Sequence, residues 1–213
     1  AASFMAAPGG LLFAKLMMPE TGTPRDQAGA AGGIDGEDEA PANVLDAAAS
    51  GASSGLKLAL NVGAMLLAFI SLIALINMMV GGVGGWFGQP ELTLEQILGR
   101  CFSPLAWLLG VPWAEAMQGG SFIGQKLILN EFVAYADFVQ VKDELSGPTQ
   151  GILTFALCGF ANLSSIAILL GGIGGMAPTR RTEVAKLGLR AVAAASMANF
   201  MSAAIAGFFL HLG

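Results

Sequence analysis

Charge is what this sequence has least of. Asp, Glu, Lys and Arg make up 12 % of its 213 residues, against roughly 25 % in a soluble domain. A soluble fold with so little charge would leave large apolar patches in water, whereas a bilayer accepts them because its own tails are apolar. Histidine is nearly absent: with His211 alone, beside the end of the chain, no Ser/His/Asp or Cys/His catalytic arrangement can be assembled. The two cysteines, Cys101 and Cys158, lie in apolar stretches without metal-ligand spacing, so both are expected to be free and buried. No basic cluster is interleaved with aromatics, which argues against a nucleic acid polymer as partner. The glycine run Gly171-Gly172-Ile173-Gly174-Gly175 has no Lys-Ser/Thr after it and is not a phosphate loop.

What is abundant is apolar surface, 54 % of the residues. The first run, residues 1–14, is closed by Lys15 and Pro19 and reads as the end of a transmembrane helix covering residues 1–19. It opens Ala1-Ala2-Ser3-Phe4, with no basic stretch before the apolar one, so it does not read as a signal peptide. The expectation is a chain that lacks its N-terminal half. Residues 58–90 carry no charged side chain, where about 20 apolar residues suffice to span a bilayer. A long scaffold helix is expected over residues 56–85, broken near the interface by Gly81-Gly82-Val83-Gly84-Gly85. Charge-free residues 145–179 and 191–213 supply two more spans, placed at 148–178 and 183–211.

Three stretches differ. Residues 20–55 hold much of the acid and many Gly and Ala, with Pro24 and Pro41; they bury too little to order themselves and read as a cytoplasmic linker. Residues 92–110 mix Glu95 and Arg100 into an apolar pattern, as a helix lying on the interface would. Residues 113–141 combine Phe122, Ile123, Leu127, Phe132 and Phe138 with Glu115, Gln125, Lys126, Asn130, Glu131 and Asp137. With Gly119-Gly120-Ser121 as the turn, they read as a re-entrant hairpin of two short helices, which needs protein or a wet cavity around it. The fold class is therefore an all-α membrane protein: transmembrane helices with a re-entrant hairpin, an interfacial helix and a broken helix. Trp86, Trp107 and Trp113 are expected as interface anchors. Arg180, Arg181, Lys186 and Arg190 place the loop before the last span in the cytoplasm, so the hairpin enters from outside and Gly213 lies outside.

The densest polar signal is Gly124-Gln125-Lys126-Leu127-Ile128-Leu129-Asn130-Glu131-Phe132-Val133-Ala134-Tyr135. If it is one helix, Lys126 and Asn130 share a face and Glu131 points about 100° further round. A carboxylate at bilayer depth costs about 2.5–3.5 kcal/mol on insertion scales and needs a partner. The residues alone leave two readings open, a structural Lys126–Glu131 pair or a ligand acceptor. A second signal, Cys158-Gly159-Phe160-Ala161-Asn162-Leu163-Ser164-Ser165, interrupts an apolar span. Its Asn162 and Ser165 are either interhelical glue or part of a site.

The first stretch resembles the signature of the concentrative nucleoside transporters, Gly/Ala-x-Lys-x-x-x-Asn-Glu-Phe-Val-Ala followed by Tyr, Met or Phe, and meets it at every position. The resemblance extends over nearly the whole chain. It implies that Glu131, on the second hairpin, binds the ribose hydroxyls. It also implies that Phe160, on a broken seventh helix, lines the nucleobase, while Asn162 and Ser165 bind ribose. An ionised carboxylate only accepts hydrogen bonds, which suits two hydroxyl donors. The family's first hairpin and fourth helix, used for base recognition and the coupling ion, have no counterpart here. The implied protein is no enzyme. It is a multi-pass symporter of a bacterial inner membrane, a homotrimer in lipid. It carries a nucleoside such as uridine by alternating access with Na⁺, or alternatively H⁺, and needs no other cofactor. Two different functions stay in view: a membrane-embedded enzyme using Glu131 or Asp137 as acid–base, and a scaffold or channel subunit whose polar residues are glue.

Overall fold

The computed structural model describes residues 1–22, 42–176 and 180–212, and every regular element among them is helical. Helix α1 covers Ala2–Met17, α2 Val44–Trp86, α3 Leu94–Leu108 and α4 Trp113–Ile128. Helix α5 covers Glu131–Val141 and is followed by a 3₁₀ turn, Lys142–Glu144. Then come α6 Gly147–Leu157, α7 Leu163–Met176 and α8 Arg181–Leu212. Among the described residues α8 is long and apolar enough to cross a membrane, and α3 with α4 would make a second span if taken as one bent unit.

The linker assignment fails at its C-terminal end. Residues 44–55, expected to be unstructured, are the first turns of α2. Asn43 caps them, its side-chain oxygen accepting from the Asp46 amide at 2.9 Å, while the Asp46 carboxylate accepts from the Ala42 amide at 2.9 Å. This reciprocal cap is followed by an alanine-rich stretch of high helix propensity. Residues 23–41 of the expected linker lie outside the described residues. The expected break at residues 81–85 is also wrong: α2 runs through its glycines to Trp86, 43 residues in all, or about 64 Å at 1.5 Å per residue. The glycines serve the return of the chain. A Cβ on Gly84 would strike the Gln89 carbonyl, and one on Gly81 would lie 2.9 Å from that of Pro90. The turn itself uses Gly88 at φ +76°, a left-handed conformation open to glycine.

Asn77 joins α2 to α3. Its amide nitrogen donates to the Glu95 carboxylate at 3.0 and 3.2 Å, and its oxygen accepts from the Leu94 amide at 2.7 Å. Thr93 caps α3 through the Gln96 amide. Between α3 and α4 the chain bends by 115°, with Gly110 at φ +105° in the connection. The two helices then pack face to face. A Cβ on Gly120 would lie 2.5 Å from the Ser103 nitrogen, one on Gly99 2.7 Å from the Met117 carbonyl, and one on Gly124 2.8 Å from Leu98. Gly119-Gly120-Ser121 is therefore not a turn. It lies in a continuous helix, where Gly120 is a notch that lets another backbone approach, as small residues do between membrane helices.

The core joins α3, α4, α5, α6 and α8 through Ala106, Ile123, Ala134, Phe138, Ile152 and Ala203, all 5 % exposed or less. Phe122 and Phe138 meet edge to face at 5.6 Å inside it. Helix α1 packs on α8, with Gly9 against Ala198 and Met201. The outer surface of α2 is apolar, exposing Leu60, Leu67, Met78, Met79 and Trp86 among others. Cys101 is exposed on this chain and Cys158 half-buried, so the expectation of two buried thiols holds for neither; both are free.

Candidate functional site

Two interruptions of helix define the site. The first lies between α4 and α5, at Leu129 and Asn130, within the stretch read above as one continuous helix. Leu129 leaves helical geometry at ψ −93°, and Asn130 turns extended and caps α5, its side-chain oxygen accepting from the Val133 amide at 2.9 Å. Lys126 and Asn130 consequently do not share a helical face. Lys126 belongs to α4, and Glu131 is the first residue of α5, where a carboxylate is favoured by the helix dipole.

The second interruption spans residues 158–162, between α6 and α7. Asn162 directly precedes α7. Its side-chain oxygen accepts from the Ser165 amide at 2.8 Å and from the hydroxyls of Ser165 and Ser164 at 2.9 and 2.7 Å. The Ser165 hydroxyl also lies 2.9 Å from the Phe160 carbonyl. This loop of bonds fixes the last turn of the interruption and leaves the Phe160 ring outward, the residue being 57 % exposed.

A hydrogen bond joins the two interruptions. The Asn162 amide nitrogen donates to Glu131 Oε2 at 2.6 Å, and this is the one hydrogen bond to the carboxylate among the described residues, leaving Oε1 free. Asn162 is fully buried and Glu131 half-buried. The structural reading in which Lys126 neutralises Glu131 is not what forms. Lys126, with 0 % exposure, donates to the Ala156 carbonyl at 2.8 Å, one of the free carbonyls at the end of α6. Its ammonium also lies 5.7 Å from the centre of the Phe200 ring. The Asn199 amide of α8 is oriented with its oxygen toward Lys126, at 2.7 Å, and its nitrogen toward the Cys158 carbonyl, at 3.3 Å. The opposite assignment sets donor against donor and acceptor against acceptor. Tyr135 of α5 donates to another carbonyl at the end of α6, that of Thr154, at 2.9 Å.

The structure thus brings Glu131, Asn162 and Ser165 into one hydrogen-bonded unit with Phe160 beside it. Asp137 stays outside that unit on α5. His211 only turns back on its own helix, Nδ1 lying 2.7 Å from the Gly207 carbonyl. Asn199 was not among the expected residues. The signal for it was present, since it is the one side-chain amide in the charge-free run 191–213. An apolar groove of about 420 Å³ between α7 and α8 includes none of the four expected site residues, and its two charges, Arg180 and Glu183, pair with each other at 2.6 Å.

Chemically, the unit offers a carboxylate with one oxygen free, an exposed aromatic face, and hydroxyl and amide groups already oriented by one another. Among the described residues no group of three or more His, Cys, Asp or Glu could hold a metal ion.

A family profile described as "Na+ dependent nucleoside transporter C-terminus" matches residues 1–207. Helicobacter pylori "Nucleoside permease NupC" is 49 % identical over 217 residues, covering 100 % of this chain and 50 % of that protein. Bacillus subtilis "Uncharacterized transporter YutK" is 60 % identical over 210 residues, covering 99 % and 52 %. The solved structure "CNTnw in an inward-facing substrate-bound state" is similar with a TM-score of 0.90 at 57 % identity, covering 100 % of this chain and 50 % of that one. The chain therefore spans about half the length of the relatives it matches. The profile match over residues 1–207 and the shared helical fold lead to one conclusion: the chain belongs to the nucleoside transporter family, as its C-terminal region.

Proposed function

We propose that this chain is the C-terminal half of a cation-coupled nucleoside symporter and supplies the ribose-binding part of its site. The observation that carries the reading is the Glu131–Asn162 bond. It leaves one carboxylate oxygen free at a junction of two helix N-termini, and among the described residues no salt bridge neutralises the acid. An acceptor held this way suits a ligand with adjacent hydroxyl donors, and a ribose carries two. The exposed Phe160 ring beside it suits stacking against a nucleobase, with Asn162 and Ser165 completing the sugar contacts. The relatives named as nucleoside permeases support the substrate class.

In this reading α4 and α5 form a re-entrant hairpin and α6 with α7 form one broken membrane helix, arrangements found at transporter sites where half-helix ends face the ligand. Helix α2 serves as scaffold, and its exposed apolar surface is available to lipid or to other copies in a trimer. Alternating access moves the hairpin and the broken helix against that scaffold. The basic residues at the start of α8 face the cytoplasm of a bacterial inner membrane. Na⁺ is the coupling ion we favour, H⁺ the alternative, with ligands on segments outside this chain.

The test is uptake of labelled uridine by the full-length protein in proteoliposomes, with and without an inward Na⁺ gradient. Saturable uptake that Na⁺ accelerates and Glu131→Ala abolishes is expected. Uptake driven by a pH gradient alone would change the ion and leave the substrate. No uptake with either gradient, or an unaffected Glu131→Ala variant, would overturn the function or the site respectively.

A further inference from the structure

Helix α4 touches both ends of α6 with charges of opposite sign. At the start of α4, Glu115 accepts from the Ser146 amide at 3.1 Å and the Ser146 hydroxyl at 2.9 Å, just before the first turn of α6. Near the end of α4, Lys126 donates to the Ala156 carbonyl in the last turn of α6. Eleven positions separate Glu115 from Lys126, and α6 is 11 residues long. The two helices therefore run alongside in the same direction, with a carboxylate at the positive end of α6 and an ammonium at its negative end. The ammonium costs most to place: it is fully buried, and its bonds to the Ala156 carbonyl and the Asn199 oxygen, with the Phe200 ring 5.7 Å away, compensate its lost hydration. Those bonds border the interruption of residues 158–162. Ala156 precedes it, and Asn199 connects Lys126 to the Cys158 carbonyl inside it. Close approach enforces the arrangement, since a Cβ on Gly159 would overlap the Asn199 amide.

We propose that Lys126 and Asn199 are positioning residues: together they clamp the interrupted segment 158–162 in the register that brings Asn162 onto Glu131. Neither touches the ligand. The two ends of one sequence signature divide the work, with Glu131 meeting the sugar and Lys126 holding the frame that presents Asn162 and Phe160. The clamp's effect on nucleoside affinity rests on the function proposed above; its effect on the segment does not.

The experiment is hydrogen–deuterium exchange on the full-length protein in nanodiscs, in the parent, Lys126→Met and Asn199→Asp, with uridine affinity measured on the same samples. In Lys126→Met the amides of residues 158–162 are expected to exchange about tenfold faster, as a locally opened segment does, with α3 and α5 unchanged. Asn199→Asp keeps an acceptor for Lys126, now a charged one, and sets an acceptor in place of the donor to the Cys158 carbonyl, so a smaller acceleration confined to residues 158–160 is expected. Unchanged exchange at 158–162 in both variants overturns the proposal, and so does acceleration spread evenly over the helices, the mark of general destabilisation. Should Lys126→Met fail to fold, Asn199→Asp decides in the same terms. Uridine affinity falling about tenfold in Lys126→Met, with unchanged maximal uptake per folded transporter, ties the clamp to the site; an equal affinity in the variant severs it. A parent that binds no uridine removes the nucleoside reading while the exchange result still stands or falls alone.

Discussion

The two interruptions of helix are built differently, although an asparagine caps the helix that follows each. The one between α4 and α5 takes two residues, both buried, and Asn130 alone closes it. The one between α6 and α7 takes five, exposes Phe160, and is braced from outside by Lys126 of α4 and Asn199 of α8. A short interruption leaves few backbone groups without partners, so a local cap suffices. A longer one leaves carbonyls that only distant side chains reach, and those side chains must be buried and polar. The short interruption thus aims one carboxylate, while the long one presents a surface.

The largest effect that would sharpen this comparison is on ligand recognition. Asn162→Ala removes a cap, for about 1 kcal/mol, and also the bond to an ionised carboxylate, for about 1.5–3 kcal/mol. Uridine affinity should fall at least about tenfold and the melting temperature of the full-length protein should drop. Asn130→Ala removes only the cap, about 1 kcal/mol, and should lower the melting temperature less while sparing most of the affinity. Equal losses from the two would erase the distinction between the interruptions.

Next in size is a pair of adjacent glycines. Gly120→Ala drives a methyl into the backbone of Phe102 and Ser103, at a cost of about 1–3 kcal/mol. In Gly119→Ala the methyl meets Ala106, Leu153 and Val111 at 3.5–3.6 Å, ordinary contact distances, and stability should hold or rise slightly. Thermal unfolding of both variants reads the contrast; two equally harmless substitutions would contradict the packing of α3 on α4. Smallest is Asn77→Ala, which releases Glu95 and the Leu94 amide at a partly exposed junction. It should cost about 1 kcal/mol in melting experiments and leave uridine affinity intact.

Much of this was legible in the residues. Charge-free runs outline α8 and the stretch holding α6 and α7, and the signature singles out Glu131, the carboxylate that the structure joins to Asn162. What stayed hidden has a common physical origin. A glycine looks the same whether it turns the chain or admits a neighbour: Gly119-Gly120 and Gly81–Gly85 both read as breaks, while Gly81, Gly84 and Gly120 serve close approach. The helical start at Val44 hides in an Ala-rich stretch that composition alone assigns to solvent. The partner of Lys126 could not be found locally, because its acceptors exist only once α6 ends 30 residues away and leaves its carbonyls free.

In the proposed site the Glu131 carboxylate accepts hydrogen bonds from sugar hydroxyls. Titration calorimetry of the full-length protein with uridine and with 2′,3′-dideoxyuridine, for the parent and for Glu131→Gln, addresses that directly. The parent should prefer uridine by about a hundredfold, two hydrogen bonds to a charged acceptor, and Glu131→Gln should shrink the preference to a few-fold. Equal affinity of the parent for both ligands would contradict the account.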